Sequence, residues 1–196
     1  MNLIPVSPGH PLWPAVSVFI RTTYLDHYGA QLAELPTNIV ALIGPGQRVQ
    51  CAAGLRNGSE AFFSECYLED TIEAVISGVT GRQIDRWEIV EVSNLASRTP
   101  AASVQFMREL IHYGDALGFN WAFFTATDRL QKILRRIHLP LIELGAARPE
   151  RLAAPYVWGS YYENNPKVLA IRRDDLAPFL SGKATRDTGN GVRAHG

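Results

Sequence analysis

The stretch from Trp87 to Ala126 limits the fold more than any other part of the chain. Trp87–Ala96 reads as a strand, and at Pro100 a helix opens whose Val104, Phe106 or Met107, Leu110, Ile111 and Leu117 fall on one face. Gly118 stops the helix, and Asn120–Ala126 follows as a nearly continuous apolar run, the pattern of a strand covered on both sides. Strand, amphipathic helix and buried strand in that order form a crossover unit, which needs a sheet with helices packed on it.

The flanking segments extend this unit. After a proline-rich lead, Trp13, Val16, Phe19, Ile20 and Tyr24 recur at helical spacing up to Tyr28, where Gly29 supplies a stop. Asn38–Ile43 and Val49–Arg56 are strand-like and flank Gly44-Pro45-Gly46-Gln47, a hairpin signal. Leu68–Glu73 looks like the start of a helix running to about Ser77, closed by Gly78 and Gly81. A short helix runs from Thr127 or Asp128 to about Ile137. Leu141–Leu144 and Val168–Arg172 are further strands, residues 148–162 read as irregular, and Ser181–Gly196 reads as a disordered tail. This order predicts one α/β domain over residues 1–180, with an antiparallel hairpin in its first half and parallel strands in its second.

Composition narrows the classes of function. The 19 Lys and Arg balance the 19 Asp and Glu, so no global field draws the chain to nucleic acid or to an anionic membrane. Cys51 and Cys66 lie in no zinc-like spacing, so no metal site or disulfide framework is expected, and reduced thiols fit a cytoplasmic protein. Pro5, Pro8, His10, Pro11 and Pro14 break up any signal-peptide core, and the lack of a run of about 20 apolar residues predicts no membrane span.

Two features of the opening strand carry chemistry. Glu91 and Asn94, an odd number of residues apart, should face opposite sides, with Glu91 beside Ser93 and Leu95. A carboxylate inside a sheet is costly to desolvate unless it is paired or faces a wet cleft. Glu91 is thus a base or an anchor for an amine, or else a structural carboxylate held by Arg82, Arg86 or Arg98. The turn Ser97–Ser103 feeds a helix N-terminus whose free N–H groups and dipole favour a phosphate; the plainer alternative is a simple connection capped by Ser and Thr.

Glu65–Asp70, Ile89–Ala96, Trp121–Thr127 and Trp158–Tyr162, taken as four ordered blocks, resemble the thermostable hemolysin family. The resemblance runs from about Tyr28 to Asp174 and implies a GNAT-like acyltransferase. It brings a mixed central sheet with helices on both faces, and transfer of an acyl group from acyl-CoA or an acyl carrier protein to an amine. In such enzymes the fourth strand splays from the fifth, and its free backbone edge pairs with the pantetheine arm. The resemblance implies that role for Leu95, Ala96 and Ser97, puts the pyrophosphate or carrier phosphate at Arg98, Thr99, Ala101, Ala102 and Ser103, and adds Thr127 to the donor contacts. Pro100, Ala101 and Ala102 stand where small glycines belong in that loop. This favours a carrier-protein donor, whose single phosphodiester needs fewer amide donors than a pyrophosphate.

A second resemblance, to acyl-homoserine-lactone synthases, rests on Glu91-Val92-Ser93-Asn94-Leu95, where those enzymes carry Glu-x-Ser-Arg-Phe. Glu91 and Ser93 are kept, but Asn94 replaces the Arg that holds the carboxylate of S-adenosylmethionine, which implies amine acylation without lactone formation. Tyr161 and Tyr162 follow the last crossover, where GNAT enzymes place a Tyr that protonates the leaving thiolate, with Tyr156 as a substitute. Glu91, Asn94 and Tyr162 are the candidate catalytic residues; no prosthetic group is implied, the thioester being a co-substrate.

Tyr67, Trp87, Trp121 and Trp158 are large enough to line an acyl pocket, although such residues usually form core. Cys66 has no local His as base, and His112 and His138 are isolated, so neither covalent nor histidine catalysis is expected. Lys132, Arg135 and Arg136 make a solvated helix face or a docking patch for an acidic carrier protein. Two rival readings remain. A membrane-perturbing hemolysin needs an amphipathic or spanning segment that is not found, and a non-catalytic acyl-binding module would have kept the fold and lost the site.

Overall fold

The proline-rich lead is not a bare connection. In the computed structural model, which describes residues 1–180, it forms strand β1 (Asn2–Val6), paired antiparallel with β2 (Asn38–Ile43). Pro5 is tolerated because β1 is an edge strand, where a missing N–H need not break a ladder. Helix α1 (Trp13–Tyr28) lies between them and ends on Gly29, whose φ of 68° suits a left-handed cap. The predicted hairpin then closes with β3 (Val49–Arg56).

Helix α2 (Ile72–Thr80) starts later than expected and runs through Gly78 to stop at Gly81. Strand β4 (Ile89–Ser97), helix α3 (Pro100–Ala116) and strand β5 (Trp121–Ala126) are the crossover unit read from the sequence. Helix α4 (Asp128–Arg136), strands β6 (Ile142–Ala146) and β7 (Lys167–Arg172) and the short helix α5 (Ala177–Leu180) complete the described chain. The tail expected at Ser181–Gly196 lies outside the described residues.

One seven-stranded sheet holds the order β1-β2-β3-β4-β5-β7-β6. Of its neighbouring pairs only β4 and β5 are parallel, so the expectation of parallel strands through the second half is corrected: β7 inserts antiparallel between β5 and β6. Strand β6 still points the same way as β5, and α4 crosses over the inserted strand to reach it. Helices cover both faces. On one, α3 and α4 bury Phe106, Met107 and Leu134 against Val40, Leu42, Ala53 and Phe124. On the other, α1 packs Val16 and Ile20 on Ile39, Ala41 and Ala96, while α2 packs Ile72 and Ile76 by Ile89 and Phe123. Each fully buried aliphatic or aromatic side chain contributes about 1.5–3 kcal/mol, so the sheet is a firm platform.

The register of β3 against β4 slips at one place. Ala52 pairs with Ala96 and Gly54 with Ser93, which leaves Ala53 facing both Asn94 and Leu95. Asn94 takes the extra residue in a left-handed conformation, φ 49°, which asparagine tolerates better than most side chains. Such a bulge bends its strand and resets the alternation of faces. Val92 and Leu95 therefore both face α3, while Glu91 and Ala96 face the α1 and α2 side. The expected sharing of one side by Glu91 and Leu95 does not occur.

Candidate active site

Strands β4 and β5 pair at Ile89↔Trp121, Val90↔Ala122 and Glu91↔Phe123, and no further. Above that point β4 stays bonded to β3 as far as Ser97↔Cys51 but has no partner on its β5 side. The bulge at Asn94 is the local cause, since it bends the strand within its free stretch. Val92–Ser97 thus offer an open, largely half-buried edge of backbone donors and acceptors to a partner strand or ligand. On the α3 face beneath this splay lies an apolar cavity bounded by Val92, Leu95, Phe124, Thr125 and Leu110.

Glu91 is fully buried, and both of its carboxylate oxygens are engaged. Oε1 accepts from the Ser64 N–H at 2.7 Å, and Oε2 accepts from the Phe63 N–H at 2.8 Å and from Arg56 Nη1 at 3.2 Å. The expectation of a base facing a wet cleft is not met, because three donors already hold a carboxylate with no exposed surface. The expected structural partners are corrected too. Arg86 binds Glu65 and Glu73 and stacks over Phe62, Arg98 donates to the Val49 carbonyl, and Arg56 on β3 is the residue that sequence reasoning missed. Arg56 Nη1 also donates to Ser93 Oγ at 3.0 Å, so Glu91 positions a guanidinium and the loop before Tyr67 at the foot of the splay.

The turn into α3 is largely self-satisfied. Thr99 caps the helix by accepting from the Ala102 N–H, and the hydroxyls of Ser97 and Ser103 both donate to the Thr99 carbonyl. With the Ser103 N–H also on Thr99 and no N–H on Pro100, Ala101 is left with the one free amide of the first turn among the described residues. Arg98 is turned away, its guanidinium 5.1 Å from the Phe19 ring centre. The turn expected as a phosphate cradle over Arg98–Ser103 thus has few donors that are not already bonded within it. Thr127 is buried where β5 enters α4.

An aromatic wall stands on the α2 side of the splay. Phe63 lies 5.4 Å from Trp158 between ring centres, and the Tyr67 and Tyr162 hydroxyls meet at 2.5 Å. The turn segment Pro155–Asn164 is seated on the end of α1: the Gln31 N–H donates to the Val157 carbonyl, and a Cβ at Gly159, φ 52°, would collide with the Tyr28 carbonyl. Thr125 donates to Ser64 Oγ at 2.9 Å and ties β5 to the same wall. Tyr161 is buried against Tyr24 and Tyr28 as core, Tyr156 is 82% exposed, and Trp87 is 65% exposed, so Trp87 lines no pocket. Burial pushes the Cys66 thiol up to about 11, with the Glu91 charge adding to the effect, and keeps it unreactive.

Burial raises the Tyr162 phenol to about 12, and raises Tyr67 much further, burial first and the hydrogen bond to Tyr162 second. Either hydroxyl can donate in this pair; with Tyr67 donating, the Tyr162 O–H is left to point elsewhere. Tyr24 and Tyr161 are raised as well, chiefly by burial. All four bind their protons more tightly folded than unfolded, where the pKa is about 10. The stability they contribute is complete below about pH 10 and is lost as pH rises through and beyond 12. Melting temperature should therefore hold to about pH 9 and fall steeply above about pH 10; an unchanged melt at about pH 11 would contradict this assignment.

The sequence model of one family, the thermostable hemolysins, matches residues 6–176. The chain belongs to the thermostable hemolysin family. No curated protein matches it in sequence. Among solved structures, the AHL synthase LasI is similar over 92% of this chain and 95% of its own, with 12% identity and a TM-score of 0.61. FeeM, an N-acyl amino acid synthase from uncultured soil microbes, is similar over 89% of this chain and 97% of its own, at 13% identity and TM-score 0.58. A GCN5-related N-acetyltransferase from Kribbella flavida is similar over 87% of this chain and 97% of its own, at 11% identity and TM-score 0.52. At such identities the likeness is one of fold, and the α/β, GNAT-like architecture of this family member is established by it. Despite the family's name, no helix among the described residues is long and apolar enough to cross a membrane.

Proposed function

We propose that the chain is an N-acyltransferase that moves an acyl group from a pantetheine thioester, carried by CoA or by an acyl carrier protein, to an amine. The observation that carries this reading is the splay: a free β4 edge over Leu95–Ser97 beside an apolar cavity. The two amides of a pantetheine arm suit that edge as an added strand would. FeeM is named as an N-acyl amino acid synthase and the Kribbella flavida protein as an N-acetyltransferase. The single free amide at Ala101 favours a donor with one phosphodiester, hence a carrier protein, and the exposed Lys132, Arg135 and Arg136 give an acidic carrier a surface to meet.

In the proposed step the amine nitrogen attacks the thioester carbon, the C–N bond forms and the C–S bond breaks, and the amine proton leaves to water. Backbone N–H groups at the bulge, at Asn94 and Leu95, polarise the carbonyl. Tyr162 donates to the departing sulfur. A thiol's own pKa is about 8.5, well below a phenol raised to about 12, so this hydrogen bond stabilises the thiolate more than it transfers a proton. Glu91 acts as a positioning residue through Arg56, Phe63 and Ser64 and not as the base.

Purified protein incubated with acyl-CoA and acyl-carrier donors and a panel of primary amines is expected to release free thiol and acylated amine in equal amounts, read by intact mass. Thiol release without acylated amine would make it a thioester hydrolase. Neither product with any donor would leave a non-catalytic acyl-binding module, and lysis of lipid vesicles without a donor would turn the reading to membrane perturbation.

A further inference from the structure

The apolar cavity below the splay is longer than a small acyl group requires. Its upper end is bounded by Leu95 and Thr125, which border the splay, and its lower end by Phe119 and Trp121 at the far end of β5. Four residue steps of strand, Thr125 to Trp121, span about 13 Å, the extended length of about ten carbons. A second cavity shares Val90, Tyr113 and Phe119 as lining with the lower end of the first and reaches Ser7 and Asn38 at the sheet's edge.

One residue beside the lower half carries no side chain. Gly114 on α3 lines the cavity one turn beyond Leu110, and a side chain there would meet no heavy atom within 4 Å of its Cβ. Its backbone is ordinary helix, outside the positive-φ glycines, so nothing in the chain geometry requires glycine. Glycine inside a helix costs about 1 kcal/mol relative to alanine. Where local stability disfavours it and the backbone does not call for it, the space it leaves is its physical effect.

We infer that this cavity is the acyl-chain subsite, that it takes linear chains of about ten carbons or more, and that Gly114 sets the length it accepts. The inference rests on the transferase reading for the identity of the donor, but an apolar cavity of this shape holds a long acyl chain whether or not transfer follows.

The test compares the wild-type protein with Gly114→Phe, which fills the lower half while leaving the splay alone. Transfer from butanoyl and dodecanoyl thioesters gives one readout, and displacement of a fluorescent fatty acid by dodecanoate gives a second that needs no turnover. The wild type is expected to favour dodecanoyl by about tenfold or more, and Gly114→Phe to lower that ratio by at least about tenfold and to lose fatty-acid binding. An unchanged melting temperature shows that the variant is folded; if it melts early, Gly114→Leu is measured in its place. Equal ratios in both proteins, or fatty-acid binding that is absent in the wild type or kept in the variant, overturn the inference and leave the transferase reading standing. No transfer from any donor, with fatty-acid binding that is lost in the variant, overturns the transferase reading and supports the assignment of the cavity.

Discussion

Replacing Glu91 with alanine is expected to lower stability by about 3–5 kcal/mol, a fall of roughly 10 °C or more in melting temperature. The loss comes mainly from the Phe63 and Ser64 amides, which would be left without the acceptors that now meet them at 2.8 and 2.7 Å. Each buried, unpaired N–H costs about 1–3 kcal/mol. Arg56 matters less, because its side chain is 20% exposed and water can replace part of the ion pair. Glu91→Gln should fall between, since it keeps one acceptor and turns an NH2 donor towards a second N–H. A Glu91 that served chiefly as a base would behave in the opposite way, with Gln costing turnover at an unchanged melt. An alanine variant that melts with the wild type would remove the positioning role.

Tyr162→Phe is expected to reduce kcat by about 10²- to 10³-fold with little change in KM for the donor, as for the loss of one hydrogen-bond donor aimed at developing charge. Tyr67→Phe should cost less, because Tyr67 orients Tyr162 from 2.5 Å and touches no reacting atom in the proposed step. Since the Tyr162 phenol keeps its proton to about 12, the rate should show no alkaline decline attributable to it near pH 10. The readout is single-turnover thiol release across pH. A Phe variant with the wild-type rate would mean that the thiolate leaves unaided.

The crossover unit was legible because its periodicity changes sharply, from strand to amphipathic helix to buried strand, between Ile89 and Ala126. Strand β1 was hidden by its prolines, which act as breakers everywhere except at a sheet edge. The insertion of β7 between β5 and β6 has no local signal, since which strand fills a gap is decided by packing between distant segments. The same reason concealed Arg56: it reaches Glu91 through the β3–β4 register, 35 residues away in sequence, whereas Arg82, Arg86 and Arg98 were simply near in the chain. Asn94 did carry a signal. An asparagine inside a strand is a residue suited to a left-handed bulge, and the bulge accompanies the open edge that the resemblance implied at Leu95–Ser97. At the expected phosphate cradle the Ser97 and Ser103 hydroxyls bond within their own turn, a pairing that composition alone cannot distinguish from free side chains.

The central claim is that the free edge of β4 receives the donor. A crystal structure with a hydrolysis-resistant acyl-pantetheine tests it most directly. The account predicts pantetheine amides hydrogen-bonded to the backbone between Leu95 and Ser97, the sulfur within reach of Tyr162, and the acyl chain on the α3 face beside Leu110 and Gly114. Pantetheine bound elsewhere, with β4 and β5 zipped together above Glu91 and Phe123, would contradict it.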